Sequence, residues 1–217
     1  MSLRNKKHNY PLYETTHFSD FREMTERVAE KYPDKTAFQY KTDPKDKEAK
    51  RITFSESRDY IRALSTELHS IDVKGKKAAI VGLASIEWFF SYVALMSSGA
   101  VTVPIDKELP ADDIASIINT SEAEYIFFSA SVYEKILEVK ALTPSVKTLV
   151  SMGGACEGAV ALEDMRRSGA EKYVAGNDAY YTYEIDREGL ASIVFTSGTT
   201  GKGKGVMLSL KNICSDM

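Results

Sequence analysis

Cysteine and histidine are scarce in this sequence. Two cysteines, Cys156 and Cys214, are too few and too irregular for a disulfide framework or a zinc site. The three histidines, His8, His17 and His69, share no metal-ligand spacing. No basic excess exists either. The net charge of -3 over 217 residues argues against a nucleic-acid binder, which needs cations to neutralise phosphates. The basic first residues, MSLRNKKHNY, are not followed by an apolar stretch, so no signal peptide is visible. All of this fits a reducing cytoplasm.

Charge is nearly missing from one stretch. Between Ala78 and Ile105 only Glu87 is charged. A membrane helix needs about 20 apolar residues, so length alone would pass. However, Gly82, Ser85, Ser97, Ser98, Gly99 and Pro104 cut the run into shorter pieces. It reads as a buried strand, a covering helix and a second buried strand, not as a membrane span.

What is present is an alternation. Phe21, Met24, Val28 and Tyr32 recur at helical spacing before Pro33. TAFQY and RITF read as a hairpin around the solvated charge run KTDPKDKEAKR. Thr53 and Glu56 form a capping box for a helix whose apolar stripe is Tyr60, Ile61, Leu64 and Leu68. The strands KAAIVG, VTVPI, EYIFFS and VKTLVSM then alternate with helices over SIEWFFSYVALMSS, PADDIASIINT and SVYEKILEVKAL. GGACEGA breaks the pattern, a short helix follows around Leu162 and Met165, and LASIVF is a last strong strand. The expectation is an α/β fold with a mostly parallel sheet covered by helices on both faces. Trp88, Phe89, Phe90 and Tyr92 read as helix packing. Glu87, Asp112 and Asp113 read as anions at helix starts. Cys214 reads as a small buried apolar group.

LASIVF feeds directly into FTSGTTGKGKGVML, Phe195 to Leu208. Ligands of parallel sheets sit beyond the carboxyl ends of strands, and this segment lies at such an end. Gly198, Gly201, Gly203 and Gly205 remove side chains and free backbone amides to face an anion. Thr196, Ser197, Thr199 and Thr200 add hydroxyls, and Lys202 and Lys204 add positive charge. This is equipment for holding a polyphosphate. A Walker loop needs Ser or Thr at its eighth position, where Gly205 stands, and it opens a helix, whereas VML reads as a strand. The dinucleotide pattern G-x-G-x-x-G is absent here.

TSGTTGKGKGVMLS resembles the phosphate loop of the adenylate-forming (AMP-binding) enzymes: acyl-CoA synthetases, luciferases and the adenylation domains of peptide synthetases. Two positions depart from that family's pattern: Gly203 stands where Pro is usual, and Leu210 where His is common. SIEWFFSYVALMSSGAVTVPID is similar to the family's early core segment, through Glu87, Trp88, Gly99, Ala100, Val103 and Pro104. The wording of that segment is most like long-chain fatty acyl-CoA synthetases.

The resemblance implies that residues 18–217 are the N-terminal part of a large AMP-binding domain, with 1–17 an extension. It implies an acid–thiol ligase that forms an acyl adenylate from ATP and a carboxylate, then a thioester on coenzyme A, with Mg2+ assisting. Thr196, Ser197, Gly198, Thr199, Thr200, Gly201 and Lys204 would bind the nucleotide phosphates. No complete catalytic set and no metal ligand is expected in the chain. The expected partners are the small-molecule carboxylate, ATP, CoA, the remainder of the large domain and a C-terminal domain. The chain by itself is expected to be inactive. Two other readings stay open. One is a stand-alone nucleotide- or phosphate-binding module, and the other is part of an adenylation domain that loads a carrier protein.

Overall fold

A computed structural model describes residues 17–41, 45–196 and 203–215. Asp20 opens α1 (Phe21–Lys31) by accepting a hydrogen bond from the Glu23 amide. The hairpin strands β1 (Thr36–Tyr40) and β2 (Lys50–Thr53) form a small antiparallel sheet of their own. Thr53 and Glu56 close the capping box of α2 (Phe54–Ser70).

Parallel winding starts at β3 (Lys77–Val81), followed by α3 (Ile86–Ser97) and β4 (Val101–Ile105). Gly99 ends α3 in the left-handed region at φ +73°, and its bare Cα is required there, since a Cβ would strike the Tyr183 ring. Next come α4 (Ala111–Ser121), β5 (Tyr125–Ser129), α5 (Tyr133–Ala141) and β6 (Thr148–Met152). Two elements follow with no gap: the two-residue strand β7 (Val160–Ala161) and α6 (Leu162–Val174), which is longer than the short helix expected there. A single turn, α7 (Ala179–Thr182), was not anticipated. The chain then forms β8 (Leu190–Thr196), β9 (Lys204–Ser209) and a short α8 (Leu210–Cys214).

The main sheet has the order β7-β6-β5-β3-β4-β8-β9, parallel except for the antiparallel β8–β9 pair. Its strands are apolar on both faces because both faces are covered. On one face Leu64, Leu68, Phe90, Leu95 and Phe127 join α2 and α3 to the sheet. On the other, Ile114, Ile118, Ile126, Phe128 and Ile136 join α4 and α5 to it. The run from Ala78 to Ile105 is thus strand, helix, strand, and no helix among the described residues is long and apolar enough to cross a membrane. Phe90 is fully buried, while Trp88 stacks on Tyr92 at 5.2 Å, so these aromatics pack the helix as expected. Glu87, Asp112 and Asp113 lie in first turns of their helices. Cys214 is buried, and burial pushes its thiol pKa up.

The seam between β4 and β8 differs from its neighbours. β3 and β4 pair along their whole length, from Lys77 with Val101 to Val81 with Ile105. β4 and β8 are registered through one residue pair, Thr102 with Ser192. Side chains supplement it. The Thr102 hydroxyl donates to the Ala191 carbonyl at 3.2 Å, and the Ser192 hydroxyl donates to the Thr102 carbonyl at 3.2 Å. All of these groups are buried, where an unmade hydrogen bond would be costly.

Candidate phosphate site

The β8–β9 hairpin brings together the two ends of the Gly/Thr/Lys segment. Pairing runs from Leu190 with Ser209 to Thr196 with Lys204. Directly paired residues of antiparallel strands put their side chains on the same face. Thr196 and Lys204 therefore stand side by side, both exposed, at the mouth of the hairpin. The GVML segment expected as a strand is one, and part of its pairing is local, with β8. Val206 and Met207 on the outermost strand remain 45% and 66% exposed.

Of the expected phosphate contacts, Thr196 and Lys204 are described. Ser197, Gly198, Thr199, Thr200 and Gly201 lie outside the described residues, as does Lys202. Gly203 and Gly205 can be compared. Among the described residues, a Cβ at Gly203 would meet the Thr196 carbonyl oxygen at 3.5 Å and the Phe195 ring at 3.6 Å, both ordinary contacts. A Cβ at Gly205 would come within 2.9 Å of Ile193 Cγ2 and 3.2 Å of the Phe195 ring. Close packing of β9 on β8 is thus one reason for a glycine at 205.

The neighbouring strand ends are held by side chains. At the end of β3, the Leu83 amide donates to the Ser129 hydroxyl at 3.0 Å. Gly82 allows this, since a Cβ there would overlap Ser129. After β4, the Glu108 amide donates to Asp106 Oδ1 at 2.9 Å. The Lys135 ammonium, reaching from α5, donates to the carbonyls of Lys107 and Leu109 at 2.7 and 3.1 Å. Lys135 carries no motif, and only the spatial packing of α5 against the β4–α4 turn reveals its contacts.

Two cavities lie away from the hairpin mouth. One of about 400 Å³ is lined by Tyr40, Tyr60, Glu87, Phe90, Ser151 and Leu162 at the carboxyl end of β6. Burial, with the nearby carboxylates of Glu163 and Glu87, pushes the Tyr60 hydroxyl pKa up. Another of about 310 Å³ lies at the amino ends of β3, β4 and β8, beside Lys74 and Tyr183. No group of His, Cys, Asp or Glu among the described residues is arranged to hold a metal ion.

Comparison with known proteins agrees with this architecture. The family model for AMP-binding enzymes matches residues 25–217. Long chain acyl-CoA synthetase 4 of Arabidopsis thaliana is 32% identical over 173 residues, covering 74% of this chain and 25% of that protein. The long-chain-fatty-acid–[acyl-carrier-protein] ligase AEE15 of the same plant is 28% identical over 201 residues, covering 85% of this chain and 27% of that protein. Among solved structures, a long-chain-fatty-acid-CoA ligase of Archaeoglobus fulgidus superposes with a TM-score of 0.77 at 26% identity, over 94% of this chain and 39% of that one. The chain thus spans about a quarter of the length of these curated relatives. With its parallel sheet, its glycine-rich hairpin and a family match over nearly all of its length, the chain belongs to the AMP-binding enzyme family, the adenylate-forming ligases.

Proposed function

We propose that the polypeptide carrying this chain is an ATP-dependent carboxylate–CoA ligase acting on a fatty acid. In the first step a carboxylate oxygen would attack the α-phosphorus of ATP and pyrophosphate would leave. In the second, the thiol of coenzyme A would take the acyl group and release AMP. Residues 18–217 would be the N-terminal part of the large domain, completed by the rest of that domain and a C-terminal domain, with 1–17 an extension. The scarcity of cysteine fits a cytoplasmic enzyme.

The observation that carries this reading is the juxtaposition of Thr196 and Lys204 where β8 ends. A hydroxyl and an ammonium on one face suit the β- and γ-phosphates. Holding them keeps the leaving group in line, which is positioning and charge stabilisation, with no covalent work by the protein. Ser197, Gly198, Thr199, Thr200 and Gly201 would complete the cradle. Mg2+ would supply further neutralisation of the phosphates when bound.

The test is ATP–pyrophosphate exchange by the intact polypeptide with a panel of carboxylates. Long-chain substrates should support exchange. Lys204→Ala should lower it by about 10²–10³-fold, the usual loss for one preorganised donor. Exchange that survives Lys204→Ala would remove the loop from the chemistry. The 217-residue chain alone should show no exchange, because it spans about a quarter of its relatives. The name of the AEE15 relative keeps a carrier-protein thiol in play. Supplying CoA or a phosphopantetheinylated carrier protein as the acceptor separates the two.

A further inference from the structure

We propose that the cavity of about 400 Å³ between α3, α6 and the β1–β2 hairpin binds a primary ammonium ion carried on an apolar body, with Glu87 as counter-ion and the Tyr60 hydroxyl as a second acceptor. This goes beyond the ligase reading and does not depend on it. The walls come from separate elements. Tyr40 and Ile52 stand on the hairpin, Tyr60 on α2, Glu87 and Phe90 on α3, and Leu162 on α6. Packing holds them in place. Phe38 of the hairpin lies against the Phe89 and Phe90 rings at 5.0 and 5.6 Å, and Tyr60 against Phe90 at 4.5 Å. The Ser151 hydroxyl donates to the Gly154 carbonyl at 2.6 Å and fixes the turn on the remaining side.

Charge decides what fits. Two carboxylates line the cavity, Glu87 and Glu163. Glu163 is matched within the protein, since Arg166 donates to it through Nε at 2.8 Å and through a second guanidinium nitrogen. The same guanidinium lies 5.5 Å from the centre of the Tyr60 ring, so the fold already seats one cation against this wall. Glu87 has no such partner. Its residue is half-buried, and its carboxylate makes no hydrogen bond or ion pair with any described residue. The amino end of α3 favours a negative charge here, yet the Trp88 amide donates to the Ser85 hydroxyl instead. A carboxylate drawn partly out of water and left unpaired is costly. The Tyr60 hydroxyl likewise makes no hydrogen bond to a described residue. Burial and the two carboxylates push its pKa up, so it stays neutral and its oxygen is free to accept.

Other ligand chemistries fit less well. No lysine, arginine or histidine lines the cavity, so an anion would face Glu87 with nothing to offset the repulsion. A neutral apolar molecule would fill the space and leave the carboxylate unpaired. A hard divalent cation needs more oxygen ligands than one carboxylate and one phenol supply. A quaternary ammonium has no N–H to give to Glu87 or Tyr60. A primary ammonium donates to both, and its bond to Glu87 is charge-assisted and therefore strong. The rings of Tyr40 and Phe90 and the side chains of Ile52 and Leu162 suit a hydrocarbon body behind the charge. The volume is that of an ordinary small-molecule site.

The test titrates 2-phenylethylamine into the intact polypeptide and follows the ligand by NMR. Saturable binding is expected with a Kd of about 0.1–10 mM, as befits so small a molecule. Two molecules of the same size, 2-phenylethanol without the charge and phenylacetate with the opposite one, should bind at least about tenfold more weakly. Glu87→Gln should weaken the amine by about ten- to a hundredfold and leave the alcohol unchanged. Tyr60→Phe, which removes one oxygen, should weaken the amine less, and it carries the test should Glu87→Gln fold poorly. The amine should also raise the melting temperature of the native polypeptide more than that of either variant. No saturable binding, equal binding of amine and alcohol, or amine binding untouched by both substitutions would overturn the proposal. Because binding is read without turnover, a failure of the ligase reading would leave this result standing, and the reverse.

Discussion

Gly203 and Gly205 flank Lys204, and the hairpin treats them differently. Gly203 does not occupy the left-handed region, and its missing side chain faces ordinary contacts. Gly203→Ala should therefore raise stability by about 0.4–1 kcal/mol, through the reduced freedom of the unfolded chain. Gly205 sits against Ile193 and Phe195, with no room for a methyl group unless those side chains or the strands shift. Gly205→Ala should cost about 1–3 kcal/mol, as overpacking does. Urea unfolding of the two variants checks the opposite signs. A stabilised Gly205→Ala would mean that β9 does not lie as closely on β8 as described. The order of hydroxyls, glycines and lysines is what carries the expectation of polyphosphate chemistry for this segment. The close packing at Gly205 was not legible in the sequence, because it depends on which residues of β8 lie opposite, and the cross-strand register is invisible in composition.

Helices α2 and α6 cross with Gly169 at the contact. A Cβ there would lie 1.9 Å from the Ala63 carbonyl oxygen, which is backbone and cannot swing aside. Two effects oppose each other in Gly169→Ala. Replacing a mid-helix glycine by alanine contributes about 0.5–1 kcal/mol of stability. Forcing two helices apart costs about 1–3 kcal/mol or more. The clash should win, and thermal unfolding should show a net loss; a higher melting temperature would argue that the helices do not touch at this point. The same glycine explains why α6 was only partly legible. Its buried positions are Leu162, Met165 and Gly169. The third of these adds nothing to an apolar stripe, so the helical pattern fades after its first turn. Helices with a full stripe, such as α2 with Leu64 and Leu68, could be placed from sequence. The single turn α7 and the five-residue α8 are too short to show any period.

For the whole molecule, the parallel character and two-sided covering of the sheet followed from its apolar strands. The spatial order of those strands did not, since nothing in β5 alone says that it lies beside β3 instead of β4. Stability as a function of pH also belongs to this scale. His69 is half-buried against the Tyr183 ring, with Nε2 unpartnered. Burial, and then the charge of Arg22, bring its pKa from 6.5 down to about 4. The folded state thus prefers the neutral ring, and the unfolded chain binds the proton more readily. His69 is fully accommodated above pH 6.5, and stability falls as pH drops from 6.5 towards 4. Glu23, Glu56, Glu124 and Glu163 have pKa values lowered from 4.5, so their contributions are lost below that value. Urea midpoints between pH 4.5 and 6.5 should therefore slope in the native chain and flatten in His69→Gln; parallel slopes would exonerate the histidine. Finally, the Thr102–Ser192 pair and the hydroxyl bonds around it stitch the β8–β9 ribbon to the parallel part of the sheet, while Ala191 and Ile193 seat β8 in the two cores. A strand whose far end carries Thr196 is thus anchored, at its buried end, by two small alcohols facing each other across a seam of the sheet.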